Sequence, residues 1–286
     1  MVTKYQSHVL QLFCYVLFRD SKNKTYRVTF INRMACEEES KFQSWIIKQE
    51  ELKSKVIRDD IYEWQQKRKD VQKIGGMDLS FIKEKDSIAC AALVVCQFPD
   101  FEVIYEDISM VPMTVPYIPG FLGFREAPPL VEAFARLRNK EPHLVPDCIL
   151  VDGNGTLHPR GFGLASHIGV CCNIPTVGVA KNLYQMEDLG LLRNEDHKQK
   201  ISEIKNPGDH FDLETTSGTI LGLALKTSAS SSKPVYVSIG HMFSLQTAAW
   251  IVYHCSKYRI PEPIRQADIR SREFLRINRE KIADIL

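Results

Sequence analysis

The chain has 286 residues, 44% of them hydrophobic and 25% charged, with a formal net charge of +2. That length and balance place it among soluble globular proteins and exclude a chain too short or too polar to bury a core. So small a net charge neither requires nor forbids a nucleic-acid partner, because only a local basic surface matters.

The eight cysteines are scattered, with no C-x-x-C pair of a zinc or redox motif. They read as buried free thiols of a reducing compartment, the adjacent Cys171 and Cys172 included. The apolar stretch from His8 to Phe18 is shorter than the roughly 20 residues of a membrane span and lacks a small-residue cleavage site. An intracellular protein without a membrane segment is expected, with residues 1–36 an extension of no assignable chemistry and 37–286 a single domain.

From Glu37 to Gln72, Trp45, Ile46, Leu52, Val56, Ile57 and Ile61 recur at helical intervals among charges, which predicts an amphipathic helix packed on the domain. Three β-rich runs follow, Ile74 to Phe81, Ser87 to Phe98 and Phe101 to Val111, separated by short polar turns that predict an antiparallel meander. Val115 to Leu130, "VPYIPGFLGFREAPPL", carries four prolines and two glycines and predicts a rigid loop rather than a helix or interior strand.

Beyond the loop, "PLVEAFARLRNK" has helical spacing, "CILVD" reads as a buried strand, "GFGLASHIGVCCN" as a helix and "PTVGVAK" as a further strand. That strand, helix, strand order implies parallel pairing. "TILGLALKT" and "PVYVSIGH" predict two more strands joined by a serine-rich hairpin tip, and two helical stretches close the chain. The whole is a mixed α/β domain: a three-stranded antiparallel start, then parallel strands, flanked by helices.

Asp78 lies inside the first β run, Glu126 in the proline-rich segment and Asp152 at the end of "CILVD". A carboxylate within or at the end of a buried strand needs a compensating partner, and a divalent cation would serve all three. One or two such ions would activate a water and stabilise a leaving oxygen in phosphoryl displacement. His241, after an apolar strand, could add a nitrogen ligand or orient a water. The bland readings are a turn aspartate at Asp152, a lysine partner for Asp78 and an Arg125 bridge for Glu126.

Six motifs in order, "GGMDLSF", "PYIPGFLGFREAPPL", "LVDGNGTLHPRGFGLASHIGV", "IPTVGVAKNL", "PVYVSIGH" and "RIPEPIRQADI", resemble the endonuclease V family, in the animal-type wording "DGNGTLH". The resemblance implies an RNase H-like fold and places the metal-binding acids on Asp78, Glu126 and Asp152, with His241 as a further ligand and Mg²⁺, replaceable by Mn²⁺, as cofactor. It places an aromatic wedge on Tyr117, flanked by Pro116, Ile118, Pro119 and Gly120, a catalytic and substrate-binding lysine on Lys181 and an active-site histidine on His158.

The activity implied is cleavage at the second phosphodiester bond 3′ of an inosine, favouring single-stranded RNA and leaving 5′-phosphate and 3′-hydroxyl ends. A deoxyinosine repair nuclease and a non-catalytic inosine-RNA-binding protein are the alternatives. Backbone groups of Gly153, Asn154 and Gly155 in "DGNG" would read hypoxanthine through O6 and N1-H. The base would first be turned out of its stack, with Tyr117 filling the gap. A monomer is expected. With no dense basic cluster of the nuclear-import type, the expected location is the cytoplasm, with the nucleus second.

Overall fold

The computed structural model describes residues 42–82 and 85–278. The expectations for residues 1–36, including the apolar stretch from His8 to Phe18, lie outside these. Two compact units divide the chain, Met1–Ile47 and Lys48–Leu286. Among the described residues of the first, 42–47 are helical and begin helix α1 (residues 42–53).

The single helix expected up to Gln72 is instead α1 and a short α2 (Glu63–Lys67), with non-helical chain between. That intervening chain has its own bonding to satisfy. The Asp60 carboxylate accepts from the Ser244 amide at 2.9 Å and from the Ser244 and Thr247 hydroxyls, each at 2.7 Å, at the start of a later helix. A continuous helix would forfeit that cap.

One eight-stranded sheet carries the unit, in the order β3-β2-β1-β4-β5-β8-β7-β6. Strands β1 (Lys73–Ile82), β2 (Lys85–Gln97) and β3 (Val103–Pro112) form the expected antiparallel meander. Strand β4 (Cys148–Asp152) then pairs parallel to β1, and β5 (Thr176–Ala180) parallel to β4. The remaining strands, β8 (Val235–His241), β7 (Ile220–Leu225) and β6 (His210–Glu214), return to antiparallel pairing. This is the RNase H-like mixed sheet flanked by helices that the resemblance implied.

Both faces of the central strands are covered, which is why β2 reads as an unbroken apolar run instead of alternating. Ala92, Val94 and Cys96 share one core with helices α6 (Leu245–His254) and α7 (Glu262–Ile277). Ala91, Leu93 and Val95 share the other with helices α3 (Leu122–Lys140) and α4 (Leu164–Cys172). A further helix, α5 (Glu195–Glu203), starts at Asn194, whose side chain accepts from the His197 amide. Among the described residues no helix is long and apolar enough to cross a membrane.

Two local expectations are corrected. Only residues 115–121 of the proline-rich segment are loop. From Leu122 the chain is helical, with Pro128 and Pro129 inside α3, so Arg125 and Glu126 are buried helix residues. The apolar stripe of Ala127, Leu130, Ala133, Phe134 and Leu137 against the sheet overrides the lost proline donors. Cys171 is exposed, whereas Cys172, one residue or about 100° further round α4, is buried with Cys90, Cys96, Cys148 and Cys255 as a free thiol.

Candidate active site

Because β1 and β4 run parallel in register, with Met77 opposite Val151, Asp78 and Asp152 end up level on adjacent strands. Met77 and Val151 both point into the α3 and α4 core, so pleat alternation sends Asp78 and Asp152 together to the opposite face, beneath α7. Ser80, two residues on, shares that face and hydrogen-bonds Ser271 of α7 at 2.7 Å. Helix α7 comes this close because Gly76 has no side chain. A Cβ there would sit 2.0 Å from the Pro263 carbonyl oxygen.

The two carboxyls are close enough to hydrogen-bond. Burial, then the charge and hydrogen bond of Asp152, then Asp268 of α7 push the Asp78 carboxyl up to about 7, against the pull of Lys181. Lys181, just beyond β5, places Nζ 2.6 Å from Asp152 Oδ2. Burial works against the Lys181 charge, but the Asp152 contact, with Asp78 and Asp268 adding, lifts its pKa above the ordinary lysine value. Ser80 donates to Asp78 Oδ2 at 3.1 Å, and Ser271 reaches the same oxygen at 3.4 Å.

Glu126 arrives from α3, on the other layer. Burial pushes its carboxyl up to about 7, opposed by Arg125 and reinforced by Asp78 and Asp152. The three expected acids therefore share one electrostatic neighbourhood, joined by Asp268, which takes a hydrogen bond from Arg272 at 2.8 Å. Asp268 was missed at the sequence level. Its signal was an acid beside the stripe Ile264, Ala267, Ser271 that α7 buries. Among the described residues no three His, Cys, Asp or Glu side chains stand as a ready-made metal cage, and Lys181 supplies the positive charge.

His241 is not brought to the acids. Strand β8 runs antiparallel to β5 and pairs His241 with Thr176, at the entry end of β5, whereas Asp152 lies level with Val179 near its exit. Its Nδ1 accepts the Ile57 amide at 3.2 Å, which puts the proton of a neutral ring on Nε2 as a donor. Burial pulls its pKa down. Antiparallel pairing thus carries the end of β8, and His241 with it, away from the carboxylate edge.

The "DGNG" segment lies flat across the sheet. Its amides and carbonyls are largely used within the protein. Gly153 N-H donates to Val179, Gly155 N-H to the Ser238 hydroxyl and Thr156 N-H to Ile239, while Asn154 and Gly155 carbonyls accept from Ala165 and Gly163. Gly178 of β5 permits this, since a Cβ there would lie 2.5 Å from the Gly155 nitrogen. Asn154 Oδ1 is buried with no hydrogen-bond partner among the described residues. Further on, His158 is pushed down to about 4 by burial, with Arg160 and Lys53 adding, so it is neutral.

Tyr117 is 60% exposed at the tip of the 115–121 loop. Pro116 and Pro119 stiffen that loop, Ile118 accepts the Phe121 amide at 3.0 Å, and Gly120 takes a positive φ of 80°. His167, set among the Phe124 and Phe162 rings, is a core residue.

The family model for Endonuclease V matches residues 50–269, which hold every residue of this site named above except Ser271 and Arg272. The chain is 50% identical over 234 residues to mouse Endonuclease V, covering 81% of this chain and 69% of that protein. To human Endonuclease V it is 49% identical, covering 81% and 82%. Its fold is similar to the crystal structure of the catalytic domain of human Endonuclease V, with a TM-score of 0.82, 48% identity and 84% and 98% of the two chains covered. It is also similar to Ciona intestinalis Endonuclease V crystallised with a 24mer DNA containing an inosine followed by a ribo-adenosine, with a TM-score of 0.77, 37% identity and 83% and 98% covered. Carboxylates gathered at the exits of parallel strands, on a chain matched this far along its length, identify a nuclease that belongs to the Endonuclease V family.

Proposed function

We propose that this nuclease recognises inosine and hydrolyses the second phosphodiester bond on its 3′ side, favouring single-stranded RNA, with Mg²⁺ or Mn²⁺ as cofactor. The observation that carries the reading is the Asp78 and Asp152 pair, level on β1 and β4 with Lys181 against it. The buried Asp78 and Glu126 carboxyls, each pushed up to about 7, are short of positive charge. Their hard oxygen donors suit a divalent ion, so Asp78 and Asp152 would hold it, with Glu126 and Asp268 close enough to be felt. When bound, such an ion supplies charge neutralisation and Lewis acidity to phosphoryl transfer.

The chain's own residues do the rest. Lys181 neutralises charge that builds on the phosphate oxygens during displacement. Glu126, near 7, can hold or give up a proton at its carboxyl at neutral pH, as departure of the 3′ oxygen requires. A water oxygen bonds to phosphorus as the bond between phosphorus and that 3′ oxygen breaks; the water gives up a proton and the 3′ oxygen takes one, which leaves the 5′-phosphate and 3′-hydroxyl ends. Tyr117, exposed on its stiff loop, would stack into the space left by the extruded base. Because the "DGNG" backbone is largely engaged, the Asn154 side-chain oxygen is the acceptor left to meet N1-H.

The Ciona relative was crystallised on an inosine followed by a ribonucleotide, which supports a preference for ribose on the 3′ side. The test compares labelled RNA, DNA, and DNA with one ribonucleotide after the inosine, each with Mg²⁺ or Mn²⁺ and with adenosine controls. Cutting of the RNA and mixed strands above DNA is expected. Equal cutting of adenosine strands would overturn the base specificity, and binding without cleavage would make the chain an inosine reader. A cytoplasmic monomer is the accompanying proposal, checked by fractionation and light scattering.

A further inference from the structure

Gln49 is a polar residue on α1, yet only 3% exposed. Its Nε2 donates to the Gly120 carbonyl and to the Phe162 carbonyl, each at 3.1 Å, and its Oε1 accepts from Arg160 Nε at 2.6 Å. Arg160 completes the knot. Its guanidinium lies 3.9 Å from the centre of the Phe121 ring and reaches the Gly120 carbonyl at 3.4 Å. One side chain thus uses both amide hydrogens and its carbonyl to tie together two loops distant in sequence, the 115–121 loop, whose Gly120 lies three residues after Tyr117, and the loop from His158 to Phe162.

We infer that Gln49 is a positioning residue for substrate: it fixes the separation between the Tyr117 loop and the His158 loop, and so where Tyr117 stands when it enters the gap left by a turned-out base. The inference rests on the reading of Tyr117 as the residue that fills the vacated stack. Pro116 and Pro119 keep the loop stiff but cannot aim it. Its aim is set where the loop is anchored, at Gly120, and that anchor is Gln49 with Arg160. A bland structural role would need only an apolar residue in this buried place, since an amide is costly to bury unless each of its groups is bonded.

The test is a double-substitution cycle on single-strand cleavage, with Gln49→Met, Tyr117→Ala and both together. Gln49→Met keeps the length of the side chain and removes all three bonds, and Gln49→Glu keeps the Arg160 bond but loses both donors. A second readout needs no cleavage: 2-aminopurine placed 3′ of the inosine, whose fluorescence rises when the stack is opened on binding. Gln49→Met is expected to lower kcat/KM about 10-fold, to blunt the fluorescence rise, and to add little to Tyr117→Ala. Gln49→Glu, which retains the Arg160 tie but turns a carboxylate oxygen on the Gly120 and Phe162 carbonyls, is expected to lose at least as much; Arg160→Lys, which keeps the charge and both Gln49 donor bonds, serves if Gln49→Met folds poorly and is expected to show a smaller loss.

Losses that multiply in the double variant, or a full fluorescence rise in Gln49→Met or Gln49→Glu, would overturn the inference. Tyr117→Ala cutting as well as the parent would instead overturn the wedge reading, and the inference with it. A parent chain that cuts no inosine strand at all would overturn the proposed function.

Discussion

Lys181 Nζ stands 2.6 Å from Asp152 Oδ2, and the contact joins the ends of two neighbouring parallel strands, β4 and β5. A lysine that would be a solvated strand-end charge in isolation is here the positive partner of a carboxylate pair. Replacing it by Met should lower single-turnover cleavage by about 100-fold or more, because a charge aimed at developing negative charge is worth most in a water-poor site. Activity within threefold of the parent, by roughly that measure, would leave Lys181 a structural counter-ion.

The carboxyls make a pH prediction with an unusual sign. Asp78 and Glu126 keep their protons up to about pH 7 in the folded chain, but release them near 4 when unfolded. Between those values the folded state binds more protons, so their contribution to metal-free stability falls as pH rises from about 4 to about 7. His158, held to about 4, contributes the opposite trend between about 4 and 6.5. Comparing the parent with Asp78→Asn cancels the histidine. The variant's advantage in denaturant midpoint should widen as pH is raised over that carboxyl range, and a constant difference would show that Asp78 titrates normally.

Divalent metal should reverse that penalty. At about 100 times its Kd, Mg²⁺ or Mn²⁺ binding to the folded state alone stabilises by about 2.7 kcal/mol, read as a rise in melting temperature. Asp78→Asn and Asp152→Asn should each lose most of the rise together with cleavage. A rise as large as the parent's in either variant would remove that residue from the ion's site.

Ser80 and Ser271 share a 2.7 Å hydrogen bond and converge on Asp78 Oδ2. Ser271→Ala strips one buried hydroxyl from that set, at a cost of about 1 to 3 kcal/mol. Because the pair also fixes how the Asp78 carboxyl is turned, the concentration of Mg²⁺ giving half-maximal cleavage should rise. If only the stability changes, the serines merely tie α7 to β1.

Gly76→Ala tests the seat of α7 itself. The added Cβ would lie 2.0 Å from the Pro263 backbone oxygen, and backbone cannot yield as a flexible side chain does. A loss of about 3 kcal/mol in equilibrium denaturation is expected, the upper range for overpacking. Cleavage of the folded fraction should fall too, since Asp268 and Ser271 ride on the displaced helix.

Strands β1 to β5, β7 and β8 were legible because each is a short apolar run bounded by turn residues. Strand β6 was not, since "HFDLE" is an edge strand that buries little beyond Leu213. The start of α3 was hidden for another reason: Pro128 and Pro129 argue locally against helix, and only packing of Leu130, Phe134 and Leu137 on the sheet outweighs them. Helix α5 carries a local start signal, Asn194 followed by two acids, but buries only His197 and so shows no apolar stripe.

Asp78, Glu126 and Asp152 could be named from the sequence because an acid beside buried apolar runs stands out in one dimension. What stood beyond it was distance. Parallel register decided that Asp78 and Asp152 are neighbours, antiparallel register decided that His241 is not, and the seating of α7 on Gly76 brought in Asp268 and Ser271. Composition and motif order are properties of the chain taken locally, so the sequence by itself determined the family, the kind of sheet and the type of chemistry. Which side chains touch depends on strand direction, pleat and helix placement, and these are set only when distant segments compete to bury the same surface.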